Sequence, residues 1–229
     1  MLEISSKLKK TGRVVVLFAS LVCVLAGQVW ADGSKTGFDP GFDGQILSMT
    51  KPKAELAPST NPRYQDNKDG SVLDLVTGVV WAKEDSYQRT RDWINWNDAQ
   101  TYIKKLNKQK FGGSSSWRLP NKEELASLFD ESSSIPWNYY WTTNEVHLDP
   151  IFGHSHCCYW SEEEYRKEMA WGFNYIRGRA YISSKGGIQK SLTAVRPVRD
   201  LTPEEKNKAD ALLAELGDAV RGPVEKKYE

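Results

Sequence analysis

The chain has 229 residues, with 31 Lys and Arg against 30 Asp and Glu and a formal net charge of +1. Charge this balanced leaves no basic excess and argues against nucleic acid as a partner. Three cysteines in such a length exclude a disulfide scaffold.

The first segment reads as an export signal. Lys7, Lys9, Lys10 and Arg13 precede an apolar run from Val14 to Ala26, and Val29-Trp30-Ala31 puts small residues at the cleavage offsets, so cleavage is expected before Asp32. The run falls short of the roughly 20 residues that span a bilayer, and nothing later is longer or more apolar. A soluble mature protein without a stable membrane span is expected, periplasmic or extracellular in a bacterium. Losing residues 1–31 removes four basic residues and Glu3, which takes the formal charge from +1 to -2. Residues 32–61 carry Gly, Pro, Asp, Ser and Lys without an apolar period and read as a flexible leader.

From Arg63 to Trp81 the chain reads as extended around a turn at Asn67-Lys68-Asp69-Gly70, and Thr77-Gly78 then feeds a strand at Val79-Val80-Trp81. Asp66 to Gly70 lacks the terminal bidentate acid of a calcium loop, so a tight turn is the better reading. Trp96, Ala99, Ile103 and Leu106 recur at helical spacing behind Asn95 or Asn97 as cap, with Lys104, Lys105 and Lys108 turned outward. Trp96-Asn97-Asp98 spells a lectin calcium motif, but its place at a helix start favours capping. After Gly112-Gly113 and three serines, Asn121 and Glu124 announce a second helix buried through Leu125, Leu128 and Phe129.

Residues 130–157 show no steady period and are expected to be irregular and functional. Trp137, Tyr139, Tyr140 and Trp141 crowd there, and flat aromatic faces stack on sugars or cations. All three histidines follow, His147, His154 and His156. On an extended chain His154 and His156 share a face and suit one metal, with His147 or Asp149 as third ligand. A polar loop holding ordinary histidines is the competing reading. Cys157 and Cys158 are neighbours, and pairing is expected in an oxidising compartment. A bridge between them closes a small ring that would be readily reduced.

Short strands are then expected at Cys158-Tyr159-Trp160, Ala170 to Tyr175, Ala180 to Ile182 and Thr193 to Arg199, with a turn at Arg177-Gly178. Thr202-Pro203-Glu204-Glu205 opens a last helix with cap, proline and capping-box acid, and Ala209, Leu212, Leu213, Leu216 and Val220 form its apolar stripe. That stripe is expected either to pack on the domain or to join a partner chain in an oligomer. The expected core is Trp81, Trp96, Trp117, Leu125, Leu128, Trp160, Trp171, Phe173 and Val195.

Several of these segments occur in one order in a known family. Arg63-Tyr64, Asp66 to Gly70, Asp74, Thr77-Gly78 and Trp81; Trp96 with Ala99; Trp117 to Asn121 with Glu123-Glu124-Leu125; Tyr159-Trp160-Ser161; Ala170-Trp171 with Phe173; and Val195 to Arg199 resemble the domain named for the C terminus of the Legionella collagen-like adhesin. The resemblance covers about residues 62–199 and leaves 200–229 as a C-terminal helix and tail. It implies an α+β, C-type-lectin-like fold, two helices on small antiparallel sheets, with the first and last strands meeting. It also implies binding rather than catalysis, of a sulfated polysaccharide, another glycan or an envelope protein. The matching motifs look like framework, so ligand residues are sought in Trp137, Tyr139, Tyr140, Trp141, His154 and His156, or among Lys104, Lys105, Lys108 and Lys110 for an anionic glycan.

Enzyme signatures such as Gly-x-Ser-x-Gly, a phosphate loop or His-Glu-x-x-His are missing. A carboxylate pair among Glu162, Glu163, Glu164 and Glu168 stays open, because such pairs are defined by distance. The arginine-leucine-proline segment also resembles formylglycine-generating enzymes, but adjacent Cys157-Cys158 does not match their separated cysteines. A metal- or thiol-dependent enzyme and a structural envelope subunit therefore remain as alternatives to the binding module.

Overall fold

The computed structural model describes residues 55–139, 141–186 and 191–220. The export segment, the cleavage point before Asp32 and the leader up to residue 54 lie outside the described residues. What is described is α+β, with small antiparallel sheets and a C-terminal helix.

The first sheet starts where the turn residues demand. Strands β1 (Tyr64–Asp66) and β2 (Ser71–Asp74) pair antiparallel across a turn in which Lys68 has φ 64° and Gly70 φ 90°. A Cβ on Gly70 would stand 2.9 Å from the Phe111 ring, so this position needs glycine for space as well as for φ. Asp66 accepts the Lys68 amide and pairs with Lys83 at 2.7 Å, which makes the loop a tight turn. Strand β3 (Val79–Ala82) pairs with β2 and also with β9 (Val198–Asp200), giving the order β1-β2-β3-β9. The last strand therefore meets β3 and not the first strand; β1 lies at the opposite edge of the same sheet.

Both faces of this sheet are buried, and period two sorts its side chains. Val72, Val79 and Trp81 belong to one core cluster, Leu73, Leu75, Val80 and Ala82 to another. The first cluster collects Leu125 of α3 (Lys122–Ser127) and Leu128, the residue that caps its end, with Tyr159, Phe173 and Tyr175. The second receives Leu106 of α2 (Trp96–Lys108), Trp117, and Ala209, Leu212, Leu213 and Leu216 of α4 (Pro203–Leu216). The stripe of the last helix thus packs on the domain that carries it. Its Glu205 grips Arg199 through both oxygens at 2.5 and 2.6 Å, beneath the capping box with Thr202. No described helix is long and apolar enough to cross a membrane.

The third sheet, β6 (Cys158–Arg166), β7 (Met169–Asn174) and β8 (Arg179–Ser184), is a meander in that order. A Cβ on Gly172 would meet the Tyr181 ring at 2.6 Å and the Tyr159 carbonyl at 2.8 Å, so this strand glycine lets two neighbours close on the backbone. One face of the sheet adds Trp160 and Ala170 to a cluster with Trp96, Ala99 and Ile103 of α2. Asn95 caps α2 by its extended backbone but makes no side-chain cap bond. The expected core holds with one correction: Trp171 is only half-buried, its ring under Lys122 of α3 and beside Tyr165.

Candidate functional site

The segment expected to be irregular contains a β-hairpin, β4 (Ile135–Tyr139) and β5 (Thr142–Val146). Ile135 and Val146 are register partners and both buried, so they pin the base of the hairpin to the core. Two residues on, Trp137 follows Ile135 inward and is 5% exposed. It stacks on Tyr139 at 5.3 Å, and Tyr139 is half-buried. Trp141 at the tip is 85% exposed. Tyr140 lies outside the described residues. The aromatic group therefore divides: Trp137 roofs the core instead of offering its face, Tyr139 covers it, and Trp141 projects.

The histidines divide as well. His147 is half-buried, its Nδ1 3.1 Å from the Ser133 carbonyl and its ring against Phe129. His154 is half-buried after Gly153, and His156 is 5% exposed between the rings of Tyr87, Trp93 and Trp137, at 4.3, 5.0 and 6.2 Å. Among the described residues no group of three or more His, Cys, Asp or Glu is placed to hold a metal ion. The structure does not gather His147, His154 and His156 into the metal triad, because His147 is tied to Ser133 and Phe129 while His156 faces inward.

Beneath His156 lies a charged network that sequence reading missed. Asp85 is the N-cap of α1 (Ser86–Thr90); its Oδ1 accepts the Gln88 amide at 2.8 Å, and its Oδ2 accepts the Tyr159 hydroxyl at 2.7 Å. His156 Nδ1 and Arg196 Nη2 each stand 3.5 Å from the same Oδ2. Arg196, fully buried, donates through Nη1 to the carbonyls of Ala82 and Lys83 and through Nη2 to Ser155 and Tyr159. Burial by itself raises the Asp85 carboxyl, but the His156 ring, the Arg196 guanidinium and the Gln88 amide outweigh it and hold the pKa near about 2. Burial likewise pushes the Tyr159 hydroxyl up. A carboxylate this fully engaged fixes shape: it ties α1, β6 and the 152–157 loop to one point. The capping-box spelling Asp85-x-x-Gln88 was its only local signal, and Arg196 lay hidden in the framework run Val195 to Arg199.

Cys157 and Cys158 are bonded to each other, with Cα atoms 3.7 Å apart. Cys157 is buried and Cys158 half-buried. The acids of β6 are spoken for in part: Glu163 accepts the Lys122 amide and Glu164 pairs with Lys185. A cleft of about 420 Å³ opens between α1 and α2, lined among others by Glu84, Arg89, Tyr102, Lys105 and Gln109. Burial pushes the Tyr102 hydroxyl up to about 12. Lys104, Lys105, Lys108 and Lys110 are all exposed, and of the four Lys105 lines the cleft.

No curated protein matches the chain. The family model of the Lcl C-terminal domain matches residues 70–199, from the turn before β2 into β9. That match spans more than half of the chain and takes in the hairpin, the buried network and both clefted helices, so the chain belongs to the Lcl C-terminal domain family.

Proposed function

We propose that this chain is an exported, adhesin-like binding module that acts without catalysis, and that its contact element is the tip of the β4–β5 hairpin. The observation that carries this reading is Trp141, 85% exposed on a hairpin whose base is locked by Ile135, Trp137 and Val146. A large apolar ring held out in water by a fixed scaffold gains free energy only when something covers it. Glycan rings offer the apolar faces that stack on such an indole, and an envelope glycan is the proposed partner. Family membership supports the binding role, and the signal-like first segment supports a periplasmic or extracellular site.

The test is a glycan array, with sulfated and neutral polysaccharides, probed with the mature chain and with Trp141→Ala. The parent should bind a glycan class that the variant loses, while both give the same melting curve. Equal binding by the two proteins would remove the hairpin tip from the contact, and binding to no glycan would turn the search to envelope proteins.

A further inference from the structure

The bond between Cys157 and Cys158 closes the shortest loop that a protein chain permits. The constraint that a disulfide places on the unfolded chain grows with the length of the loop it closes. This bond therefore adds little to global stability by that route, and its effect must be local. Its surroundings say where that effect falls. The Cys157 carbonyl accepts the Tyr175 amide at 2.7 Å and the Cys158 carbonyl accepts the Ala194 amide at 3.0 Å, so both residues are pinned to neighbouring segments. On the N-terminal side, the His156 amide donates to the Tyr159 hydroxyl at 3.2 Å, which closes a tight loop around the bridged pair. The next side chain back is His156, packed under Trp137. Trp137 in turn holds the hairpin down.

We infer that Cys157–Cys158 is a site of reversible thiol–disulfide exchange with an external dithiol, and that its state sets how firmly His156 and Trp137 hold the β4–β5 hairpin. Cys158 keeps part of its surface in solvent, which gives an attacking thiolate its approach. One thiolate of the dithiol attacks a sulfur of the pair and breaks the Cys157–Cys158 bond, leaving a mixed disulfide. The second thiolate of the reagent displaces the protein sulfur and closes the reagent's own disulfide. The protein gains two electrons and two protons and carries two thiols; the dithiol is oxidised by the same two electrons. With the bond open, the backbone at Cys157 regains its torsional freedom while Tyr175 and Ala194 keep the strand in place. The released motion passes to His156, since it directly precedes the pair in the chain.

The experiment uses the mature chain, titrated with dithiothreitol, alkylated with iodoacetamide and mapped by peptide. Amide exchange of the Ile135–Val146 hairpin is followed in parallel. Cys157 and Cys158 should both label at reductant levels that leave the far-ultraviolet spectrum unchanged, and hairpin exchange should then rise on the order of tenfold, a local and not a global opening. Reoxidation should restore the slow exchange. The Cys157→Ser, Cys158→Ser double variant should show the fast exchange without reductant and no response to it; if that variant does not fold, the parent's exchange with and without reductant decides alone. Labelling that begins only with global unfolding overturns the exchange site. Labelling of both thiols with unchanged hairpin exchange overturns the coupling.

Discussion

Asp85 keeps its charge inside the protein because donors and cations surround it: the Tyr159 hydroxyl, the Gln88 amide, the His156 ring and the Arg196 guanidinium. With its pKa near about 2 in the fold and near roughly 3.9 in an unfolded chain, the shift is downward. The stability it supplies is therefore complete above about pH 4 and is lost as the pH falls towards 2. Asp85→Asn should flatten the acid limb of a stability–pH profile in that window. At pH 7 it should cost about 3–5 kcal/mol, because it leaves Arg196 buried beside an uncharged group. An acid limb identical to the parent's would show that Asp85 is not ionised against these partners. Trp117 makes a second test at this scale. It is buried, donates its Nε1 proton to the Phe111 carbonyl, and lies under the Arg199 guanidinium. Trp117→Ala should cost about 3–5 kcal/mol in reversible unfolding, and a loss below about 1 kcal/mol would contradict its burial.

Helix α4 shows how an element outside the family match joins the domain. A helix of this length is marginal alone in water, so its stability comes from packing. Ala209, Leu212, Leu213 and Leu216 supply that packing against Leu73, Val80 and Trp117, and the Arg199–Glu205 pair locks the entry. Truncation after Asp200 should lower stability by about 3 kcal/mol or more, roughly 6–12 °C in Tm for a chain of this size. Thermal unfolding that stays unchanged would mean that the helix does not pack on the sheet. Helices α3 and α4 were legible in the sequence because their caps are local: Asn121 with Glu124 and Thr202 with Glu205 form the capping boxes their spelling announces, whereas α1, behind the same kind of box at Asp85 and Gln88, was not read. The strands around Gly70 and Gly178 were legible from their turns for the same reason. The hairpin was not, because Pro136 interrupts the strand signal and β5 reads Thr-Thr-Asn-Glu-Val, polar until its last residue. The Asp85–Arg196 network was not either, since its members come from distant segments and a pairing made only by the fold leaves no spacing to read.

At the scale of the whole molecule two surfaces are candidates for the proposed glycan contact, and they obey different physics. The hairpin tip offers Trp141, an apolar ring whose stacking involves no net charge. The end of α2 and the turn after it offer exposed Lys104, Lys105, Lys108 and Lys110, with Lys105 lining the cleft together with Arg89, on a chain whose overall charge is close to zero. Attraction to those lysines is screened as the Debye length falls from roughly 10 Å at 0.1 M salt to roughly 3 Å at 1 M. Trp137 cannot serve as a probe of the tip, since it is buried and its loss would loosen the hairpin itself; Trp141→Ala takes away the exposed ring at the tip. Against a bound polysaccharide, the hairpin reading expects affinity that persists from 0.1 to 1 M salt and falls by roughly 30-fold in Trp141→Ala, the size of an interface hot spot. Alanine at Lys104, Lys105, Lys108 and Lys110 together should then change little. The reverse pattern, binding that vanishes in high salt, survives Trp141→Ala and disappears with the four lysines, would move the contact to the α1–α2 side. In that case the exposed indole is not what the ligand covers, and the proposal for the hairpin tip fails.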